Sequence, residues 1–172
     1  NISDEFLNKN QLIVYTEGAH SEKRSFFATN KGLFKKGELI ILVNSSTASA
    51  SEIVSGAIQD NKRGIILGRR TFGKGLVQQP LILPDSSELR ITTSRYFTPS
   101  GKCIQKPYGD SIDYENDLLE RIESGELTNN DSKTDESKFK GGIMPDIYSP
   151  LDTVDYNEQV SKIIYTKKWR DF

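Results

Sequence analysis

The chain has 172 residues, enough for one domain with a sizeable core and too few for two comfortable ones. Its 23 basic and 24 acidic residues nearly cancel and form no basic stripe, which argues against nucleic acid as a partner. One cysteine, Cys103, excludes an internal disulfide framework and a multi-cysteine zinc site, and the single histidine, His20, sits in a polar stretch, EGAHSEKR, that reads as a solvated loop. A Ser-His-Asp triad would have to use His20 or none. No apolar run approaches the ~18 residues of a membrane span. The start at Asn1, without methionine or a basic-then-apolar leader, is what a processed or excised piece would show, so compartment stays open.

Taken in chain order, strands are expected at QLIVYT (11–16), RSFFAT (24–29), ELIILV (38–43) and GIILG (64–68), then at LVQQPLIL and ELRITTSRYF around the turn PDSS. ELIILV and GIILG are continuous apolar runs, as expected of central strands covered on both faces. Between them, STASASEIVSGAIQD places Ile53 with Ala57 and Val54 with Ile58 at helical spacing. This strand, helix, strand unit implies a right-handed crossover in an α/β sheet. Cys103 is expected as a small half-buried residue at the end of a strand.

From Gly109 to Lys140 there are ten acidic and four basic residues. Tyr114, Leu118 and Ile122 fall on one helical face there, and ELTNNDSKTDESK after them has no apolar pattern, so residues 109–140 read as a solvated acidic insertion, a surface helix followed by a mobile loop. A last helix is expected at DYNEQVSKIIYTKKW, stacking Tyr156, Val160 and Ile163.

Two stretches carry candidate chemistry. Residues 68–74, GRRTFGK, fit the spacing of a phosphate-binding loop, but Gly75 stands where a magnesium-binding hydroxyl is needed and LVQQPLILP continues as an extended segment rather than a helix. Nucleotide binding is therefore not expected. The second stretch is VNSSTASASEI, in which a strand ends near Asn44 and a helix starts near Ser49, with Glu52 three positions on. The structural reading is a capping box between Ser49 and Glu52. The chemical reading is a nucleophile: a serine at a helix amino terminus lies beside unpaired amides and the positive end of the dipole, where an oxyanion is stabilised. Small neighbours such as Ala48 and Ala50 leave room for a substrate backbone.

A serine hydroxyl needs a base, and with histidine scarce the nearby candidate is a lysine. A lysine acts as a base only when neutral, which from a free pKa of about 10.4 requires burial. Lys74 is flanked by Gly73 and Gly75, which permit close backbone approach, and Phe72 is placed to exclude water. The structural alternative is an exposed turn lysine.

Together, STASASEIVSGAIQD and GRRTFGKGLVQQ, with Lys74 25 positions after Ser49, resemble the catalytic segment of the carboxy-terminal processing proteases, the tail-specific serine peptidases with a Ser-Lys dyad. The resemblance continues through ITTSRYFTPSGKCIQ and GGIMPDI, covers the chain from about residue 38 to 150, and extends to ISDEFL and IVYTEG at its start. It implies a Clp-protease/crotonase-like α/β core, of which residues 1–172 would supply the carboxy-terminal portion of the peptidase domain. It also implies a serine endopeptidase acting near protein carboxyl termini, with Ser49 as nucleophile, Lys74 as general base, Gln78 orienting the lysine, and the backbone amide of Ala50 on one side of the oxyanion hole. Asp60 matches a family aspartate for which a structural role is expected.

No cofactor or metal is implied. The expected partners are unstructured protein or peptide carboxyl termini, and the expected location is the periplasm or cell envelope. The acidic insertion resembles versions from Bacteroides-like bacteria. The family's glycine-rich segment with the second oxyanion donor, and its peptide-binding PDZ domain, would lie before Asn1, so residues 1–172 alone are expected to be a poor enzyme. The alternative from another class is a catalytically silent module that binds peptide tails with the same fold.

Overall fold

The computed structural model describes residues 2–108, 117–127 and 141–150. A one-turn helix, α1 (Ser3–Phe6), leads into the hairpin of β1 (Leu12–Gly18) and β2 (Ser21–Phe27). Strand β3 (Ile40–Val43), helix α2 (Ala50–Asp60) and strand β4 (Ile65–Gly68) follow, then a second hairpin, β5 (Leu76–Ile82) with β6 (Glu88–Phe97), the short helix α3 (Asp117–Glu123) and strand β7 (Ile147–Tyr148). Strands β2-β1-β6-β5 form an antiparallel sheet, and β3-β4-β7 form a parallel one. This is a mixed α/β fold, as the alternation of strand and helix patterns implies.

The core lies where α2 packs between β1 and the parallel sheet. Ala57 and Ile58 are fully buried with Leu7, Ile13, Val14, Ala28, Val43 and Ile66, and Ile53 and Val54 pack against that cluster. Each large aliphatic side chain so buried contributes about 1.5–3 kcal/mol. The helical spacing of these residues thus decides which face of α2 turns inward. At the carboxyl end, Asp60 accepts a hydrogen bond from the Ser100 amide at 2.8 Å, a turn-fixing role for that carboxylate.

Among the described residues, coverage of the parallel sheet is one-sided. Ile40, Leu42, Ile65 and Ile147 share one face and are 58, 74, 43 and 49 % exposed. Helix α2 covers only the face that carries Val43 and Ile66, and among the described residues nothing packs on the other. Among the described residues the apolar runs thus correspond to strands with one face covered and the other open, since the pattern records a preference for burial and not the element that supplies it.

The GGIMPDI stretch locks the parallel sheet to α2. Asp146 exchanges hydrogen bonds with β4, accepting from Ile66 N–H through Oδ2 at 2.7 Å and donating its own amide to Ile66 O at 2.8 Å. Its Oδ1 accepts from Gln59 Nε2 of α2, which also donates to Met144 O. Strand β7 then continues the pairing as Leu67 with Ile147 and Gly68 with Tyr148.

His20 is exposed in the turn between β1 and β2, and Cys103 is partly buried on an isolated bridge to Phe97, just past β6. Among the described residues, no helix is long and apolar enough to cross a membrane and no cluster of metal-ligating side chains occurs. The helix expected to stack Tyr156, Val160 and Ile163 lies outside the described residues, as does Tyr114.

Candidate active site

Strand β3 ends at Val43, and a hydrogen-bonded turn follows in which Asn44 Oδ1 accepts from Ser46 N–H at 2.9 Å and Asn44 O accepts from Thr47 N–H at 3.0 Å. The turn delivers Ser49 to the N-cap of α2 with φ 57° and ψ −118°. A non-glycine residue in that region is held there at a cost of about 1–3 kcal/mol. The capping box between Ser49 and Glu52 is present, with Ser49 N–H donating to Glu52 Oε2 at 2.8 Å. Ser49 thus occupies the N-cap position with its side chain exposed at the amino end of the dipole, an arrangement compatible with either reading of this serine. Ala50 N–H has no acceptor among the described residues, which leaves it available to an oxyanion.

Glu52 does more than cap. It is wholly buried, and besides the Ser49 amide it accepts from Thr71 Oγ1 at 2.5 Å, Gly73 N–H at 2.7 Å and Lys74 N–H at 2.8 Å. The turn before Ser49 reinforces this link, since Thr47 O accepts from Phe72 N–H at 2.9 Å. The serine turn and the loop carrying Lys74, separate in sequence, are thus tied through backbone atoms to one carboxylate. Gly73 adopts φ +89° there, a conformation that glycine enters without strain.

Lys74 lies in the loop between β4 and β5, and Gln78 lies on β5 opposite Thr92, beside a bulge. Both side chains are exposed. The desolvated setting expected for Lys74 is not built by the described residues. Phe72, expected to shield it, instead lies under Lys106, whose Nζ is 4.2 Å from the ring centroid. Among the described residues no hydrogen bond joins Ser49 to Lys74 or Lys74 to Gln78. The structure brings Ser49 and Lys74 together through their main chains and leaves all three side chains open to solvent. The segment after Gly75 is extended, so no helix amino terminus follows the GRRTFGK loop to receive a phosphate.

The sequence pattern of Peptidase family S41 matches residues 1–115, more than half of the chain. The chain belongs to Peptidase family S41. Its S41 relatives include a carboxy-terminal-processing protease of Bartonella bacilliformis, 41 % identical over 104 residues, which are 60 % of this chain and 24 % of that protein. A carboxyl-terminal-processing protease of a Picosynechococcus species is 43 % identical over 96 residues, 56 % of this chain and 23 % of that protein. The chain spans about a quarter of the length of these curated relatives. Among solved structures, a photosystem II D1 C-terminal processing protease superposes with a TM-score of 0.63 at 28 % identity, over 87 % of this chain and 30 % of that one. A putative peptidase from Parabacteroides merdae shares the fold, with a TM-score of 0.54 at 14 % identity over 94 % and 41 % of the two chains.

Sequence reasoning about this S41 chain missed two groups at the site. Glu52 was legible as a cap, but its bonds to Thr71, Gly73 and Lys74 span about twenty residues and leave no periodic trace. The second group comes from the acidic segment. Its helix, expected at the surface with Tyr114, Leu118 and Ile122 on one face, leaves Leu119 and Ile122 exposed and buries Arg121, which is 2 % exposed. Arg121 is paired with Asp117 at 2.9 Å, Arg70 with Glu126 at 2.7 Å and Lys106 with Asp117 at 3.2 Å. A buried guanidinium persists only when paired, so ionic contacts help to seat α3. Burial, and then the neighbouring Arg70, lower the pKa of Arg121, against the opposing pull of Asp117, Glu126 and Glu52.

Proposed function

We propose that this S41 chain carries the nucleophile and base of a serine endopeptidase that cleaves proteins or peptides near their carboxyl termini. Ser49 Oγ attacks the scissile carbonyl carbon while Lys74 Nζ takes its proton. The tetrahedral intermediate collapses with cleavage of the C–N bond, and the proton passes to the leaving amine. Water then hydrolyses the Ser49 ester. Gln78 orients the lysine, and Ala50 N–H donates to the oxyanion. The observation that carries this reading is the shared anchoring of the Ser49 and Lys74 amides on Glu52 at the positive end of α2. The substrates are unstructured carboxyl-terminal segments, met in the periplasm or cell envelope. No cofactor, nucleotide or metal takes part.

The test uses the full-length protein. Ser49→Ala and Lys74→Ala each abolish cleavage of an unstructured peptide with the fold intact, and a serine-reactive probe labels Ser49 in the wild type alone. Near-normal turnover by either variant would remove the dyad. Exposure of Ser49 and Lys74 favours the second reading, a silent module that binds peptide tails, which predicts tail binding with neither turnover nor labelling. The exposure of Lys74, which leaves its ammonium form solvated, leads us to expect residues 1–172 alone to turn over more slowly than a protein of the relatives' length.

A further inference from the structure

We propose that Arg121, on the helix of the acidic segment, is a positioning residue for the loop that carries Lys74; this rests on the dyad reading above. Arg121 Nη1 donates to Arg70 O at 3.3 Å and Thr71 O at 3.0 Å, and Nη2 donates to Phe72 O at 3.4 Å. Glu52 takes the amides of the next two residues, Gly73 and Lys74. The loop is therefore gripped by a guanidinium on its carbonyl side and by a carboxylate on its amide side, each buried. The polarity of the peptide unit dictates this division, since carbonyls require a donor and amides an acceptor.

Only an arginine suits the first role, because its planar fork reaches several carbonyls together, whereas a lysine offers one compact ammonium. The guanidinium is itself fixed behind the loop. Asp117 Oδ2 forms an ion pair with the guanidinium, 2.9 Å from its Nε, and the same oxygen pairs with Lys106, which lies over the Phe72 ring. Arg70, whose carbonyl Arg121 holds, is clamped by Glu126 through two bonds, at 2.7 and 2.8 Å. A segment with the composition of a solvated insertion thus forms one wall of the loop. A shift of the loop on the scale of an ångström would be felt at the lysine nitrogen, where such misplacement costs on the order of 100-fold in rate.

The experiment compares Arg121→Gln and Arg121→Lys with the wild type in the full-length protein. It measures kcat and KM on an unstructured peptide across pH, normalised to active sites titrated with a serine-reactive probe, together with hydrogen exchange at individual amides. Arg121→Gln is expected to lower kcat per active site about 10- to 100-fold with KM within about twofold, and to move the pH profile. It should also speed exchange at the Gly73 and Lys74 amides about tenfold or more while Ile58 and Ile66 keep their protection. Arg121→Lys, retaining the charge and one donor, should recover part of the loss.

An unchanged kcat per active site and unchanged protection at residues 73 and 74 would overturn the proposal, as would a loss shared equally by every core amide. If Arg121→Gln does not fold, Asp117→Asn, which keeps the guanidinium and removes its support, is judged by the same two readouts. Should Ser49→Ala still turn over, the dyad reading fails, and exchange at residues 73 and 74 alone then decides whether Arg121 orders this loop.

Discussion

The backbone amides of Ser49 and Lys74 donate to the same atom, Oε2 of Glu52, each at 2.8 Å. Two residues 25 positions apart are in this way referenced to a single oxygen. Replacing Glu52 with Gln keeps the shape but leaves one acceptor oxygen for four donors and turns an NH2 group toward amides. Bonds to a charged acceptor contribute about 1.5–3 kcal/mol each, and orphaned buried donors cost about 1–3 kcal/mol. We expect Glu52→Gln to destabilise the fold by about 3 kcal/mol, read as a lower urea midpoint at constant slope. A change below about 1 kcal/mol would mean that the site re-forms its bonds by other means.

Backbone strain at Ser49 separates chemistry from stability. At φ 57° and ψ −118° any side chain is penalised, whereas glycine is not. Ser49→Gly and Ser49→Ala should both lack peptide cleavage, with the glycine variant the more stable of the two by about 1 kcal/mol in chemical denaturation. Equal stabilities would show that the turn relaxes once the serine is gone.

Gly75 follows the lysine for a reason of space. A Cβ there would stand 2.6 Å from the Gln105 backbone nitrogen and 2.9 Å from Ile104 Cβ. The Gly75 amide meanwhile donates to Gln105 Oε1 at 2.9 Å, and its carbonyl accepts from Tyr96 N–H at 2.8 Å. Gly75→Ala should cost about 2–3 kcal/mol and displace the lysine, so thermal unfolding and turnover fall together. A variant with unaltered melting would refute this account of the close approach.

Acid sensitivity is expected far from the site. Asp4 accepts from Thr29 Oγ1 at 2.5 Å and from Thr29 N–H at 2.6 Å. The hydroxyl bond foremost, and then the amide, hold its carboxyl below the usual carboxylate range against partial burial. A carboxylate lowered on folding adds stability that is complete above its unfolded value, near pH 4, and is lost as pH falls through its folded value. The melting temperature of Asp4→Asn should lie below wild type near pH 7, with the gap narrowing as pH falls below about 4. A gap constant with pH would assign the effect to packing.

Much of the frame was legible in residue pattern alone. ELIILV, GIILG and the Ile53/Ala57 and Val54/Ile58 pairs identify the β3–α2–β4 unit because burial of a periodic face leaves a periodic signature. PDSS marks the hairpin between β5 and β6 through turn chemistry. Strand β7 and helix α1 escaped because two or four residues carry no period. Arg121 escaped for a different reason: a charged residue in an acidic, polar segment reads as solvated, and only its pairing with Asp117 and the carbonyls of residues 70–72 make its burial favourable. The positions of Ser49 and Lys74 followed from local signals, while the carboxylate that joins them depends on contacts that cross the fold.

The order in which a ribosome releases the chain bears on the loop of residues 70–74. Thr71 N–H donates to Ile143 O, Ile143 N–H donates to Thr71 Oγ1, and Arg70 donates to Gly141 O. These partners are synthesised some seventy residues after the loop itself, an interval of roughly 4–14 s at ordinary elongation rates. Through that interval the helix of Ser49 can form from residues already made, but the lysine loop lacks the segment of residues 141–143 that holds it. The nascent chain therefore carries the Ser49 turn well before the contacts that complete the loop of Lys74, a delay written into the sequence order of the fold.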